Sequence, residues 1–331
     1  MVSAGIYEVG SARQPAMLAR LRAPFAWKSS APVSARPCKG QRTSALPPMD
    51  IKLIVSDVDG TLLNSAQQLT PRVEQAVKAA AAAGVPLWVA TGKARGPWVA
   101  DVFPRLHMTQ PGVFLQGLLV CSGEGAVLRQ RDMPMEVVEL CLDLAAAHGV
   151  TITAYCGARI LAQHLDEHTD RLAFYREPAV EVAAPLRDAL ARLPPQKLIF
   201  MAPQPKLDAL RPEVQRLLEG RASLTTALTG MLEVLPLGGS KGEGVQWLLD
   251  HMGVQAQHVM ALGDGENDIE MLQLAGLGVA MGNASARVKS AAAVALTASN
   301  DQDGVAEAID KYVLAPRGLP TSEEAATSHC H

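Results

Sequence analysis

Short apolar runs alternate with helix-like stretches along most of this chain. Residues Ile51–Ser56 are almost continuously branched and apolar, which predicts a buried strand. Thr70 and Pro71 then open a helix through VEQAVKAAAAAG, with Thr70 as N-cap, Pro71 at the first helical position and Gly84 as the stop. Val85–Thr91 is the next strand, the segment after Gly92 is a helix reaching about His107, and Val113–Val120 is a third apolar run. Strands and helices alternating at this length predict a parallel α/β sheet.

The middle of the chain changes pattern. Glu136–His148 is amphipathic and closed by Gly149, and two strand-like pieces follow at Val150–Tyr155 and Arg159–Gln163. Prolines 178, 185, 194, 195, 203 and 205 separate further short elements, among them a strand at Lys197–Met201 and a helix at Pro212–Leu218. This reads as an α+β insertion over 129–227 with a small core of its own. Alternation then returns: strand Met231–Leu235, helix Gly244–Met252, strand His258–Leu262, helix Ile269–Ala275, and short strands Gly278–Met281 and Ala293–Leu296. The sheet domain is therefore expected to be split into 49–128 and 228–314, with 315–331 a disordered tail.

Composition narrows the class. With 331 residues, 48% of them apolar, the chain can bury a large core, and no apolar run reaches the roughly 18 residues of a membrane span. Five scattered cysteines without a CxxC pair read as reduced thiols. Residues 1–48 stand apart: seven Lys/Arg and only Glu8 as an acid, the rest rich in Ser, Ala and Pro. That is the composition of an organelle transit peptide, and the Ser/Pro content favours the chloroplast over the mitochondrion. Setting this segment aside takes the net charge from −3 to about −9. An acidic body with dispersed Lys/Arg is not expected to grip nucleic acid.

Four short motifs carry chemistry. In SDVDGT (56–61) the two acids sit at a strand end, and on extended backbone Asp57 and Asp59 face the same way. Two carboxylates so placed need a shared proton or a cation, and Mg²⁺ suits them; an Asp-Gly turn capped by Thr61 is the alternative for this stretch alone. In VATGKA, Thr91 and Gly92 at a strand end offer a hydroxyl and an approachable backbone N–H to a phosphate oxygen. In GGSKGEG, Lys241 opens a helix where the backbone dipole already favours anions. In ALGDGENDIEML, Asp264 ends a strand and Asp268 lies one turn further on, a spacing that suits one metal ligand and one supporting acid.

DVDGT, ATG, SKG and GDGEND, in that order, resemble the haloacid dehalogenase (HAD) superfamily, and the late SKG and GDGENDIEML resemble its Cof-type phosphatases. PGVFLQGLLV and GDGENDIEMLQLA are similar to the HAD domain of plant plastid proteins, some fused to a YbeY-like endoribonuclease. The resemblance covers about residues 50–313. It implies a doubly wound α/β core with an inserted α+β cap of the C2 type. It implies a phosphatase for a small phosphorylated metabolite, with Asp57 as nucleophile and Asp59 as general acid and base. Thr91, Gly92, Lys241 and Asn267 would hold the phosphoryl group, and Asp57, the Asp59 carbonyl and Asp264, supported by Asp268, would bind Mg²⁺. Phosphoryl transfer to another acceptor, or a non-catalytic role beside plastid RNA processing, are the rival readings. No membrane association and a monomer or weak homodimer are expected. Two departures stand out: Lys93 replaces the usual Arg after ATG, and Gln116-Gly117 replaces Asn-Gly. Neither is expected to touch the nucleophile or metal set.

Other features read as structural. His164, Asp166, Glu167 and His168 (HLDEH) could form a metal pair, but Phe174 stands where a YbeY-like zinc motif needs a third His. His329-Cys330-His331 ends a polar tail, and Trp88 and Trp98, flanking the second motif, read as core or cap-contact residues rather than a base-stacking platform.

Overall fold

The computed structural model describes residues 49–226 and 228–324. The 1–48 segment and His329-Cys330-His331 lie outside the described residues. Five parallel strands form the central sheet in the order Val294–Ala295, Leu277–Ala280, Val259–Gly263, Leu53–Ser56, Leu87–Val89. A parallel bridge from Ala90 to Val113 carries the order on to Gly112–Phe114. Side chains alternate between two cores, as a strand covered on both faces requires. Leu53, Val55, Trp88, Val259 and Ala261 enter one core, closed by helices Lys241–Met252, Ile269–Leu274 and Ala286–Ala291. Ile54, Leu87, Val89, Met260 and Leu262 enter the other, closed by Pro71–Ala82, Pro97–Arg105 and Gly304–Ile309. Trp98 lies fully buried there, edge-on to Phe103, its indole donating to the Ala94 carbonyl at 2.8 Å.

The apolar run 113–120 is not one strand. Gly112–Phe114 pairs antiparallel with Leu119–Cys121 around a turn in which Leu115, Gln116 and Gly117 all take positive φ (51°, 60° and 93°). The turn is tight because the start of helix Lys241–Met252 packs against it: a Cβ on Gly117 would meet the Ser240 carbonyl oxygen at 2.0 Å.

Beyond the hairpin strand Val127–Gln130 lies the cap. Its sheet runs Ala222–Thr225, Met231–Pro236, Lys197–Met201, Thr151–Cys156, Arg159–Ala162, Val180–Val182, antiparallel except for the last pair. Ile152, Ala154, Leu198, Phe200, Leu232 and Val234 pack on helices Met135–His148, Leu186–Arg192 and Gln204–Leu217. The alternate positions Tyr155, Lys197, Ile199, Met231 and Glu233 face the parallel-sheet domain.

Three sequence expectations change here. Met231–Pro236, expected in the split sheet domain, pairs with Lys197–Met201 and Ala222–Thr225 in the cap sheet. The helix expected from Pro212 begins at Gln204, and Pro212 sits inside it at an exposed position. The segment expected to be a disordered tail from 315 is packed as far as it is described: Ser322 is buried and donates through N and Oγ to Asp310 at 2.8 and 2.7 Å.

Candidate active site

Parallel strands deliver their C-terminal ends to one edge of the sheet, so residues distant in sequence meet there. Asp57 follows Leu53–Ser56 and its N–H donates to the Leu262 carbonyl at 2.9 Å, one step before Gly263 and Asp264. Thr91 follows the neighbouring strand, its N–H donating to Val113 O at 2.9 Å. Helix Lys241–Met252 starts beside them, with the Ser240 hydroxyl accepting from Glu243 N at 3.1 Å.

Lys241 is 1% exposed, and its ammonium donates to Asp57 Oδ1 at 2.6 Å and Asp268 Oδ1 at 2.7 Å. Asp268, fully buried, accepts the N–H groups of Asp264 and Gly265 on its other oxygen, at 3.0 and 2.9 Å. Both oxygens of Asp268 are thus engaged, which suits a supporting acid rather than a direct ligand. Asp264 accepts from Thr61 Oγ1 at 2.7 Å and from Asn283 Nδ2 at 3.0 Å. Gly60, at φ 78°, permits that approach, since a Cβ there would lie 2.5 Å from Asp264 Oδ2.

Asp57, Asp264 and Asp268 each bring a carboxylate oxygen within 4.8 Å of the others. Burial, then the neighbouring Asp268, pushes the Asp57 carboxyl well above its ordinary range, although Lys241 pulls it down. Asp264 is raised to about 6, first by burial and then by Asp268. Lys241 goes the other way: burial works against its charge but is outweighed by Asp268 and Asp57, so it holds its proton more tightly than a free lysine. One ammonium serves three acids, and the excess negative charge is what a divalent cation would neutralise. The donor set, all hard oxygen, fits Mg²⁺.

A cavity of about 290 Å³ opens above this cluster, lined on the core side by Asp57, Asp59, Thr91, Gly92, Lys241, Asp264 and Asn267. All eight residues singled out from the sequence therefore converge on one place: seven line the cavity, and Asp268 stands behind them. The Thr91 hydroxyl accepts from Lys93 N at 3.1 Å, which leaves its proton free for an anion in the cavity.

The two departures prove central. Lys93, not expected to touch the nucleophile or metal set, is buried and donates to Asp59 Oδ1 at 2.9 Å, to Gln67 Oε1 at 3.2 Å and to the Tyr175 carbonyl. Gln116 contacts Asn267 (3.0 Å) and Glu233 (2.9 Å). Both touch residues of the motif set, because the cap lies closed against the motif loops.

Sequence reading did not find the cap's own contribution. Tyr155, Lys197, Glu233 and Glu177 line the cavity roof. Lys197 donates to the Gly92 carbonyl at 2.8 Å, pairs with Glu233 at 3.3 Å and lies 4.4 Å from the Tyr155 ring centre. Glu177 accepts from Ala94 N at 3.0 Å, and burial lifts it to about 7. Burial, followed by Glu177, Glu233 and Asp59, raises the Tyr155 phenol well above its ordinary value. Two charged positions, Lys197 and Glu233, inside otherwise apolar strands were the available signal.

The HLDEH stretch has another use. Asp166 caps helix Glu167–Phe174, accepting from His168 N and Thr169 N at 2.9 Å each. His164 precedes the helix, so the two histidines do not share a helix face.

An open parallel sheet with an acidic cluster at its strand ends and a cap closed over it defines a class of hydrolase. The family model for haloacid dehalogenase-like hydrolases matches residues 54–309, and the chain belongs to that family. It is 39% identical over 273 residues to the Arabidopsis thaliana protein named "Endoribonuclease YBEY, chloroplastic", covering 79% of this chain and 46% of that protein. This chain therefore spans less than half of that relative's length. An Enterobacter HMP-PP phosphatase is 31% identical over 244 residues, covering 70% of this chain and 85% of its own. A haloacid dehalogenase-like hydrolase from Bacteroides thetaiotaomicron superposes with a TM-score of 0.71 at 30% identity, covering 79% of this chain and 99% of its own.

Proposed function

We propose that the protein is a Mg²⁺-dependent phosphatase that hydrolyses a phosphomonoester of a small metabolite through an aspartyl-phosphate on Asp57. The observation that carries this reading is the Lys241 ammonium 2.6 Å from Asp57, within an acid cluster that opens onto a capped cavity. A carboxylate can attack a dianionic ester only where cations relieve the repulsion.

Asp57 Oδ attacks phosphorus as the ester P–O bond breaks, and Asp59 gives its proton to the departing alkoxide. Asp59 then takes a proton from water, whose oxygen attacks phosphorus and frees Asp57 and inorganic phosphate. Lys93, 2.9 Å from Asp59 Oδ1, fixes that side chain's orientation during both transfers. Thr91, the Gly92 backbone, Lys241 and Asn267 hold the non-bridging oxygens. Asp57, Asp264 and the Asp59 carbonyl would hold Mg²⁺, with Asp268 behind them, and the ion would supply Lewis-acid charge neutralisation at the phosphoryl group.

A cavity of about 290 Å³ has room for about ten waters. That suits a phosphate bearing a sugar-sized or single-ring alcohol, with specificity set by the roof residues of the 129–227 region and by Glu233. The transit-like composition of residues 1–48 and the chloroplastic relative support a place in the plastid. Among the described residues, no helix is long and apolar enough to cross a membrane.

A panel of phosphorylated sugars, nucleotides and vitamin precursors, assayed for phosphate release with and without Mg²⁺, tests the reading. Wild type is expected to turn over at least one of them and Asp57→Asn none. Phosphate release that survives Asp57→Asn, or the lack of any substrate, would overturn it.

A further inference from the structure

Between the cap and the phosphate site runs a chain of hydrogen bonds that the proposed chemistry does not use. Lys197, on a cap strand, donates to the core carbonyl of Gly92 at 2.8 Å and to Glu233 Oε1 at 3.3 Å. Glu233 accepts on its other oxygen from Gln116 Nε2 at 2.9 Å. Gln116 in turn accepts on Oε1 from Asn267 Nδ2 at 3.0 Å. Gln116, Lys197 and Glu233 are all at least 95% buried.

The direction of this chain is dictated at one end. A carboxylate can only accept, so Gln116 must turn its NH₂ to Glu233 and its carbonyl to Asn267. Asn267 must then turn its own NH₂ toward Gln116, and the second hydrogen of that NH₂ is left for the cavity, which Asn267 lines. Had Gln116 been free to flip, Asn267 could present its carbonyl oxygen to the phosphate instead. Two side-chain amides thus relay the polarity of one cap carboxylate to a phosphate-facing group on the core.

The backbone at Gln116 supports this. It sits at φ 60° and ψ 32°, a conformation in which Asn is at home and Gln is not. Asn would relieve the backbone, yet it is one methylene shorter and cannot span from Glu233 to Asn267. The longer side chain is therefore used for reach.

We infer that Gln116 is a positioning residue through which the closed cap, by way of Glu233, fixes the orientation of the Asn267 amide toward the phosphoryl group. The inference rests on the phosphatase reading for its consequence, but not for its geometry. Opening the cap carries Glu233 away and releases both amides, so the site is completed only on closure.

The test uses the full-length protein with p-nitrophenyl phosphate and Mg²⁺. Gln116→Asn trades backbone relief against two lost buried hydrogen bonds, so it is expected to stay folded with Tm within a few degrees of wild type and yet to lose tenfold or more in kcat with KM within about threefold. Glu233→Gln, which removes the acceptor-only partner, should show the same split. Gln116→Glu alone sets two carboxylates face to face and should be worse. The double variant Gln116→Glu/Glu233→Gln restores an acceptor-only group to Asn267 and a donor at 233, and should recover most of the kcat. Single variants with wild-type kcat, or a double variant no better than either single, would refute the relay. Side-chain amide NMR of Asn- and Gln-labelled protein provides a reading independent of turnover. The Asn267 NH₂ signals should shift in Glu233→Gln and return in the double variant, and unmoved signals would refute the proposal even if no phosphatase activity is found.

Discussion

Replacing Lys241 by Met removes a buried cation and leaves an unbranched apolar side chain one atom shorter. In the folded protein Asp57 and Asp268, 5% and 0% exposed, would lose the ammonium that lies 2.6 and 2.7 Å away. Removing one member of such a buried set costs about 3–5 kcal/mol, because the stranded charge keeps its desolvation penalty. For a chain of this size that is on the order of 10 °C in Tm. The sign of the pH dependence follows from Asp57. Its folded pKa is already raised by burial and by Asp268, and losing Lys241 raises it further. The folded variant then binds more protons than the unfolded chain, so its stability falls as pH rises above the ordinary carboxylate range and recovers on acidification. Differential scanning fluorimetry from pH 5 to pH 8 should show a Tm deficit against wild type that is largest at pH 8, shrinks toward pH 5 and is partly repaired by millimolar Mg²⁺. Activity should fall by about 10²–10³, as for loss of one charge-stabilising donor. A variant as stable as wild type at pH 8, or a deficit independent of pH, would show that Lys241 does not neutralise the acid cluster.

Other outcomes follow from the same geometry. Mg²⁺ affinity, measured by calorimetry, should drop as pH falls through about 6, where Asp264 takes up a proton that competes with the ion; an affinity flat from pH 5 to 7.5 would contradict this assignment. Gly60→Ala should cost about 1–2 kcal/mol through its positive φ and displace Asp264, so weaker Mg²⁺ binding should accompany a lower Tm. Glu177, held near 7 against an ordinary 4.5, makes the folded state the better proton binder, so stability is lost as pH rises through that window. Glu177→Gln should flatten that slope, by up to about 3 kcal/mol between pH 5 and pH 8, in urea titrations at the two values.

Much of this protein is legible along the chain. Continuous apolar runs ending in Asp57, Thr91 and Asp264 mark parallel strands, and the order of those ends forces their side chains to one edge of the sheet. Thr70, Pro71 and Gly84 bound the first helix in the sequence, and it is observed at Pro71–Ala82. A local pattern of this kind reports periodicity and termination, which depend on neighbours within a turn or two.

It does not report which sheet a strand joins. Met231–Pro236 has the apolar character of a core strand, but its backbone finds partners in the cap, and that choice places Glu233 over the candidate site. Nor could spacing reveal that Lys93 would lie against Asp59, or that Gln116 would reach Glu233 across 117 positions. Each of those contacts exists only because the cap closes on the motif loops, burying charges that must then find partners. The chemistry at the strand ends was written in the sequence; what stands over it, and how it is held, came from long-range burial.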